Sequence, residues 1–357
     1  MTSPDLATII DRIQPLDPQA LTAATARQEQ LTKPSGSMGA LEELGNRLCG
    51  MYAVCPPPFP DPVAVVVFAG DHGVHARGVS PWPQDVTAQM VANISSGGAV
   101  INALARQVGA SVMVVDVGVA AELPPLPGVV DRKVAAGTQD LSTGPAMTPE
   151  QALAAIGVGI ESALGLVDSG HRLLVTGDLG IGNTTPSAAL VAAFTGRDAA
   201  DVTGRGAGSD DAMLAHKVEV VRAGLGRLRA ADRQPLDALA EVGGLEHAAL
   251  TGFLLAAASR RVPVVLDGVI ACASALVAQA LCPAVTAYLI AGHRSQESGA
   301  SVALAALGLT PLVDLGPRLG EGSGAALAVP LVQAAARLLR EVATFESAGV
   351  SDGLPAS

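Results

Sequence analysis

The chain has 357 residues, 49% of them hydrophobic but only 2% aromatic, and its formal net charge is −11. This length predicts one large domain or two, with a core built mainly from Ala, Val and Leu. The acidic charge argues against nucleic acid or an anionic membrane as partner, because both require a basic face. A small phosphorylated ligand remains possible, because backbone amides can hold it.

Helical patterns dominate both ends of the chain. The first 55 or so residues predict three helices and no strand, and 323–344 predicts a long apolar helix. The proline-rich stretch CPPPFPDP (55–62) is the expected joint to the rest. We therefore expect a small helical subdomain from 1–60 and 323–345, a large α/β catalytic domain from 61–322, and a disordered tail at 346–357.

Apolar runs of strand length fill the middle of the chain, and each ends in a polar or glycine-rich loop. Segments with helical spacing separate most of them, including 85–107, 149–167 and 210–228. Continuous apolar runs are typical of strands buried on both faces, and their alternation with helices implies right-handed crossovers. The fold class is therefore α/β with a mainly parallel sheet. The predicted strands are 62–70, 110–118, 172–177, 263–268, 284–292 and 311–316.

Targeting and redox signals predict a soluble cytoplasmic protein. The N-terminal stretch MTSPDLATIIDR lacks an apolar signal core, and the apolar stretches are interrupted before the ~20 residues that a membrane span needs. The cysteines Cys49, Cys55, Cys272 and Cys282 show no CxxC spacing. Buried reduced thiols are thus favoured over disulfides or a metal site.

Polar residues follow nearly every predicted strand, so we expect one active site at the carboxyl edge of the sheet. In GDLGIGNTTPSAAL (177–190), glycines expose backbone amides, and Thr184 or Thr185 is expected to cap a helix that starts there. A helix start behind a glycine loop favours anions, although a simple tight turn would look the same. The stretch TGRGAGSDD (203–211) repeats the device with an acidic cap. Neither stretch fits GxxxxGK[ST], and nothing fits GxGxxG, which weakens nucleoside-triphosphate and dinucleotide hypotheses.

The histidines provide little support for a metal. Asp71, His72 and His75 share one loop and could in principle hold an ion, but no further ligand signal accompanies them. His216 and His247 lie in predicted helices, where surface or satisfied core positions are expected. We therefore predict no metal site.

One carboxylate, Glu321, lies between two glycines in LGEGSGAAL (319–327), just ahead of an apolar helix. Ser323 is the expected N-cap of that helix, so Glu321 is not needed as a cap. Only Arg318 lies nearby in the sequence as a charge partner. An acid without a structural role at this edge is a candidate for chemistry.

Eight motifs in order resemble the nicotinate-nucleotide–dimethylbenzimidazole phosphoribosyltransferase family over about residues 10–345. That family makes α-ribazole phosphate for the lower ligand of cobalamin. The resemblance implies a Rossmann-like large domain, a small helical domain, a homodimer, small-molecule substrates, and neither cofactor nor metal. The motifs are KPSGSMGALEELG (33–45), AGDHGV (69–74), VSPWPQDVTAQMV (79–91), GDLGIGNTT (177–185), GRGAGSDD (204–211), RRVPVVLDG (260–268), GHRSQE (292–297) and LGEGSGAAL (319–327).

The resemblance also implies roles for residues, with Glu321 as the catalytic base. Asp178 stands where the family usually has Glu, and GHRSQE departs from the family's common wording. The predicted base pocket, in which Trp82 is either a pocket wall or a packing residue, comprises Ser80, Trp82, Gln89 and Leu319. The predicted phosphoribosyl and nicotinate site comprises Asp178, Gly180, Gly182, Asn183, Thr184, Gly204, Arg205, Gly206, Gly208, Lys217, Asp267, His293, Arg294 and Ser295.

The implied reaction explains a single carboxylate. Nicotinate leaves as a neutral ring nitrogen and needs no acid, whereas the attacking imidazole becomes cationic and must lose its other N–H proton. A helix N-terminus nearby is expected to keep Glu321 ionised. The alternatives, a non-catalytic base or nucleotide sensor and a dehydrogenase on the same fold, give Glu321 no role.

Overall fold

A six-stranded, wholly parallel sheet forms the centre of the structure, a computed structural model that describes residues 5–228 and 234–351. The strand order is β3-β2-β1-β4-β5-β6, the order of Rossmann folds. The predicted Rossmann-like α/β class is thus confirmed. The strands are β1 Val63–Gly70, β2 Ser111–Gly118, β3 Val129–Asp131, β4 Leu173–Leu179, β5 Val264–Leu266 and β6 Leu289–Ala291.

Helices precede, connect and follow these strands. Two short 3₁₀ segments, Gly73–Arg77 and Pro283–Tyr288, occur in the connections. The α-helices are α1 Leu6–Asp11, α2 Pro18–Gln30, α3 Ala40–Tyr52, α4 Val86–Ser95, α5 Val100–Val108, α6 Pro149–Asp168, α7 Thr184–Thr195, α8 Ala199–Val202, α9 Asp211–Arg227, α10 Pro235–Val242, α11 Leu245–Ser259, α12 Val269–Leu281, α13 Ser298–Leu307, α14 Ser323–Glu341 and α15 Phe345–Ala348.

Strand β1 is apolar throughout because helices cover both faces of the sheet. All eight of its residues are buried. Phe68 faces α11, where its ring contacts Phe253 edge-on at 5.6 Å between centroids. Val65 and Val67 face the other way, toward the turn that begins α14. Two buried faces therefore replace the polar and apolar alternation of a half-exposed strand.

Small residues allow α6 and α11 to pack closely. A Cβ at Gly159 would lie 1.8 Å from the carbonyl oxygen of Ala249, and one at Gly252 would lie 2.1 Å from that of Ile156. The backbones therefore touch, which explains how so few aromatic residues can fill the core. Among the described residues, α6 is the one helix long and apolar enough to span a membrane by length and composition. It packs along α11.

Two predicted strands were partly or wholly wrong. In 311–316, only Val313 pairs, in an isolated bridge with His293. Pro311 lacks a backbone donor, which disfavours a regular ladder. In 284–292, the first part forms the 3₁₀ segment that begins at Pro283, and β6 keeps three residues.

Other boundaries moved for local reasons. The helix predicted over 85–107 is two helices, α4 and α5, because Gly97 adopts a φ of +82° between them. The three-residue edge strand β3 was not predicted, because so short a run has no pattern to detect. The three N-terminal helices and the long helices α6 and α9 were predicted correctly.

Helices α2, α3 and α14 pack against one another, as expected for the two ends of the chain. The division into a helical subdomain and a catalytic domain remains a prediction. Of the predicted tail, 345–348 is helical, and 352–357 lies outside the described residues. A small apolar cluster separate from the main core consists of Ala20, Ala24, Leu31, Cys49 and Leu339.

Candidate active site

A cavity of about 800 Å³, partly open to solvent, lies beyond the carboxyl ends of β4 and β5. The strand order reverses between β1 and β4, and open α/β sheets bind ligands at such a point. Loops that are distant in sequence converge there, as the sequence predicted. The lining consists of 79–81, 178–184, 205–207, Ser209, Lys217, 268–270, His293, Ser295, Glu297 and 318–320.

The structure brings most of the predicted site residues to this cavity. Those that line it are Ser80, Asp178, Gly180, Gly182, Asn183, Thr184, Arg205, Gly206, Lys217, His293, Ser295 and Leu319. Those outside the lining are Trp82, Gln89, Gly204, Gly208, Asp267, Arg294 and Glu321. Gly204 and Gly208 belong to the same loop as Arg205 and Gly206, and Arg294 forms an exposed ion pair with Asp314 at 3.0 Å.

Asp178, at the end of β4, presents a buried carboxylate in the cavity wall. Its Oδ2 accepts a 3.0 Å hydrogen bond from the side-chain amide of Asn183. Burial, reinforced by the charges of Asp267 and Glu246, raises its pKa well above the usual range. Asn183 also occupies the N-cap position of α7, where no side chain caps the helix, so the predicted Thr184 or Thr185 cap was wrong.

Lys217 of α9 connects the two glycine loops. It is only 1% exposed, and its Nζ donates to Thr184 Oγ1 at 2.6 Å and to the Gly204 carbonyl at 3.1 Å. Burial lowers its pKa to about 8, although Glu297 acts in the opposite direction. Both loops thus meet at one buried amine.

Gly206 is held from both sides of its peptide backbone. Its N–H donates to Glu297 Oε1 at 2.8 Å, and its carbonyl accepts from Arg318 at 2.8 Å. Sequence reasoning assigned no role to Glu297 and placed Arg318 beside Glu321, which was wrong. Neither contact has a local signal, because the partners lie far apart in the chain. Arg205 is half-exposed and pairs with Asp211.

Glu321 lies in a left-handed turn between two glycines. Its φ is +64°, a conformation that non-glycine residues rarely adopt. The side chain is 4% exposed, and Oε2 lies 3.5 Å from the Ile101 N–H at the start of α5. Burial and the charge of Asp267 raise its pKa, although the Ile101 hydrogen bond opposes them. The expectation that a helix N-terminus would hold this pKa down was wrong.

Asp267 supports the turn rather than the cavity wall. Its Oδ2 accepts from the Gly322 N–H at 3.1 Å, and its Oδ1 accepts from the Ala325 N–H at 2.9 Å. It therefore does the capping predicted for Ser323, which is the first residue of α14 and whose hydroxyl donates to the Gly320 carbonyl. This cap places Glu321.

The predicted base pocket is more open. Trp82 is 50% exposed, and its indole N–H donates to the Ala207 carbonyl at 3.1 Å. Its backbone N–H donates to Ser80 Oγ at 3.2 Å. Leu319 is 55% exposed, and Gln89 lies half-buried in α4. Trp82 thus ties the loop after β1 to the loop at 204–209.

The candidate metal loop is occupied by other contacts. His75 Nε2 lies 2.8 Å from the Trp82 carbonyl, and His72 Nε2 lies 3.0 Å from Glu246 Oε1. Within 5–228 and 234–351, no three His, Cys, Asp or Glu residues are arranged to hold a metal ion.

Comparison with known proteins identifies the family. The sequence model of the family DBI_PRT, described as phosphoribosyltransferase, matches residues 13–350. The chain belongs to this family. It is 58% identical over 353 residues to the nicotinate-nucleotide–dimethylbenzimidazole phosphoribosyltransferase of Salinispora tropica, covering 95% of this chain and 97% of that protein. It is 54% identical over 343 residues to the protein of the same name from Chloroflexus aurantiacus, covering 96% and 97%.

A solved structure agrees with this result. The crystal structure of the enzyme titled with the same activity from Thermus thermophilus superposes with a TM-score of 0.90 at 47% identity, covering 95% of this chain and 100% of that one. The chain is therefore a phosphoribosyltransferase and an enzyme of the pentosyltransferase class. The sensor and dehydrogenase alternatives have no such support.

Proposed function

We propose that the protein transfers the 5-phosphoribosyl group from nicotinate mononucleotide to dimethylbenzimidazole, giving α-ribazole 5′-phosphate and nicotinate. Relatives that are 58% and 54% identical over nearly the whole chain carry the name of this activity. The motifs that resemble the family also supply most of the cavity lining.

Glu321 is the proposed general base. The observation that carries this role is a buried carboxylate of raised pKa, fixed in a strained turn next to Leu319 and Gly320 of the cavity lining. The attacking nitrogen of dimethylbenzimidazole bonds to the ribose carbon as nicotinate leaves with the electrons of the broken C–N bond. Glu321 accepts the proton of the other ring nitrogen, which becomes acidic as the ring gains positive charge. A pKa closer to neutral suits a base that works at physiological pH.

The phosphoribosyl group is assigned to the glycine loops. The start of α7 and the turn at 180–183 present backbone amides to the cavity, and helix N-termini favour phosphate. Lys217 and Arg318 place two cations against the same wall in a chain whose net charge is −11. We assign the phosphate to these groups.

The reaction changes no oxidation state, so the proposal includes no cofactor and no metal. The proposal also includes a homodimer, a cytoplasmic location and a role in making the lower ligand of cobalamin. All three rest on the resemblance of the motifs.

The test is release of nicotinate by the purified protein. Nicotinate mononucleotide and dimethylbenzimidazole are incubated with it, and both products are separated by liquid chromatography and identified by mass. We expect equal amounts of nicotinate and α-ribazole phosphate, and no nicotinate when the base is omitted. A set of other benzimidazoles and purines then defines the preferred acceptor. Nicotinate release that does not depend on any base would refute the proposal.

A further inference from the structure

A fully buried cluster of three ionisable side chains lies behind the glycine turn at 180–183. His72, Glu246 and His247 are 1%, 0% and 0% exposed. Glu246 Oε1 lies 3.0 Å from His72 Nε2 and 2.8 Å from His247 Nδ1. Buried charges are costly unless they are paired, so such a cluster requires an explanation.

The cluster touches the turn directly. A Cβ at Gly180 would lie 3.2 Å from His72 Nε2, so the imidazole packs against the backbone of the turn. His247 Nε2 lies 2.8 Å from Ser187 Oγ, and that hydroxyl donates to the Asn183 carbonyl at 2.8 Å. Since the Asn183 amide donates to Asp178, a chain of contacts leads from the cluster to the cavity wall.

Proton inventory defines the charge on His247. The Ser187 hydroxyl has one proton, and it goes to the Asn183 carbonyl, which can only accept. His247 Nε2 must therefore carry a proton to donate to Ser187. Its Nδ1 faces Glu246 Oε1 at 2.8 Å, where a lone pair would be repelled. Both nitrogens thus carry protons, and His247 is a buried imidazolium paired with the Glu246 carboxylate.

We propose that the His72–Glu246–His247 cluster positions the glycine turn for the phosphoribosyl group, and that His247 does so through Ser187 and Asn183. This inference rests on the proposed function, because it assigns the turn to that substrate. The three residues touch no reacting atom, so they are positioning residues. A charged His247 can only donate to Ser187, which in turn fixes the Asn183 carbonyl and the amide that holds Asp178.

The surrounding charges agree with this assignment. Asp71, on the loop after β1, and Asp178, at the end of β4, are the other carboxylates that interact with the cluster. Burial alone would lower the pKa of His72, but Glu246 and Asp71 outweigh it and raise it. Burial alone would raise the pKa of Glu246, but the two histidines lower it. The carboxylate and the imidazolium therefore stabilise each other.

Ser187→Ala tests the link, with Ser274→Ala as a matched control. Both serines are fully buried in helices and donate to the carbonyl four residues earlier, but only Ser187 contacts a histidine. We expect Ser187→Ala to lower kcat/KM for nicotinate mononucleotide about tenfold, because a buried donor loses its acceptor. The KM for dimethylbenzimidazole should change less than about twofold, and Ser274→Ala should change neither constant. Equal effects of the two variants, or equal effects on both substrates, would overturn the proposal.

Glu246→Gln separates charge from shape, because glutamine keeps the size of the side chain. Nitrogen-15 NMR of the histidine rings, assigned by triple resonance among six histidines, reports the protonation of each nitrogen. We expect both nitrogens of His247 to carry protons at pH 8 in the wild type, and one of them to lose its proton in Glu246→Gln. A neutral His247 in the wild type at pH 7 would overturn the proposal.

The two measurements also separate this inference from the proposed function. A wild-type protein that transfers no phosphoribosyl group would refute the function. The histidine spectrum needs no substrate and tests the cluster by itself.

Discussion

The two halves of the cavity differ in how firmly the fold holds them. On the phosphoribosyl side, Asp178, Asn183, Lys217 and Glu297 are 4%, 9%, 1% and 6% exposed, and each has a hydrogen bond to another part of the site. On the proposed base side, Trp82 and Leu319 are 50% and 55% exposed.

The difference has a physical reason. A phosphate must be drawn from water, so its ligands have to be in place before it arrives. A flat apolar ring gains most of its binding free energy from area that it covers, and open loops can adjust to it. We infer that the first half provides precision and the second tolerance toward the incoming base. Four experiments break or sharpen this comparison.

The largest effect is expected from Glu321→Gln. The variant keeps the shape of the turn but cannot accept a proton, so kcat should fall by roughly 10²- to 10⁴-fold. Binding of dimethylbenzimidazole, measured by calorimetry, should persist. In the wild type, kcat should fall as the pH decreases, with a midpoint above the usual range for glutamate, because burial raises this pKa.

The control is Glu43→Gln, an exposed glutamate on α3. It should leave kcat unchanged. Near-normal turnover by a well-folded Glu321→Gln would remove the residue from the mechanism and leave the base side without its catalytic group.

The second experiment removes the phosphate from the substrate. Nicotinate riboside lacks the charge that the glycine loops, Lys217 and Arg318 are proposed to hold. Several charge-assisted hydrogen bonds are lost, each worth roughly 1.5–3 kcal/mol, so we expect kcat/KM to fall by about 100-fold or more. Steady-state kinetics with both substrates check this, and equal values for riboside and nucleotide would contradict the assignment of this half.

The third experiment uses the lowered pKa of Lys217. The free enzyme loses this charge as the pH rises through about 8, so kcat/KM for the nucleotide should decline above that pH by about tenfold per unit. The substrate phosphate titrates near pH 6, so it does not interfere. In Lys217→Gln the decline should disappear. A wild-type profile that stays flat from pH 7 to 10 would show that the charge of Lys217 does not assist nucleotide binding.

The smallest effect is expected at Trp82, the single tryptophan in the chain. If its ring covers the base, Trp82→Ala should raise the KM for dimethylbenzimidazole several-fold, since aromatic contacts contribute about 0.5–1.5 kcal/mol beyond buried area. Trp82→Phe keeps a ring but loses the N–H bond to Ala207. A Phe variant that behaves like the wild type supports the ring, and one that behaves like Ala supports the tie between loops.

Tryptophan fluorescence adds an independent test. Dimethylbenzimidazole should change the emission of the wild type, and nicotinate mononucleotide alone should change it less. Emission and KM that ignore the base would assign Trp82 to the scaffold and leave aliphatic residues to line the base side.

Much of this protein followed from the sequence alone. The long apolar runs that became β1, β2 and β4 show their burial directly in composition, because both faces of each strand are covered. Glycine loops before helices and the lone acid at Glu321 were also visible, since left-handed turns and helix starts depend on near neighbours.

The tertiary structure decided what local pattern cannot carry. It denied 311–316 a place in the sheet, moved the cap of α14 from Ser323 to Asp267, and brought Glu297 to Gly206. It also brought His72 to Glu246 and His247 in one buried cluster. Each of these contacts joins residues from different loops, so it exists only once the order of the strands has placed those loops side by side.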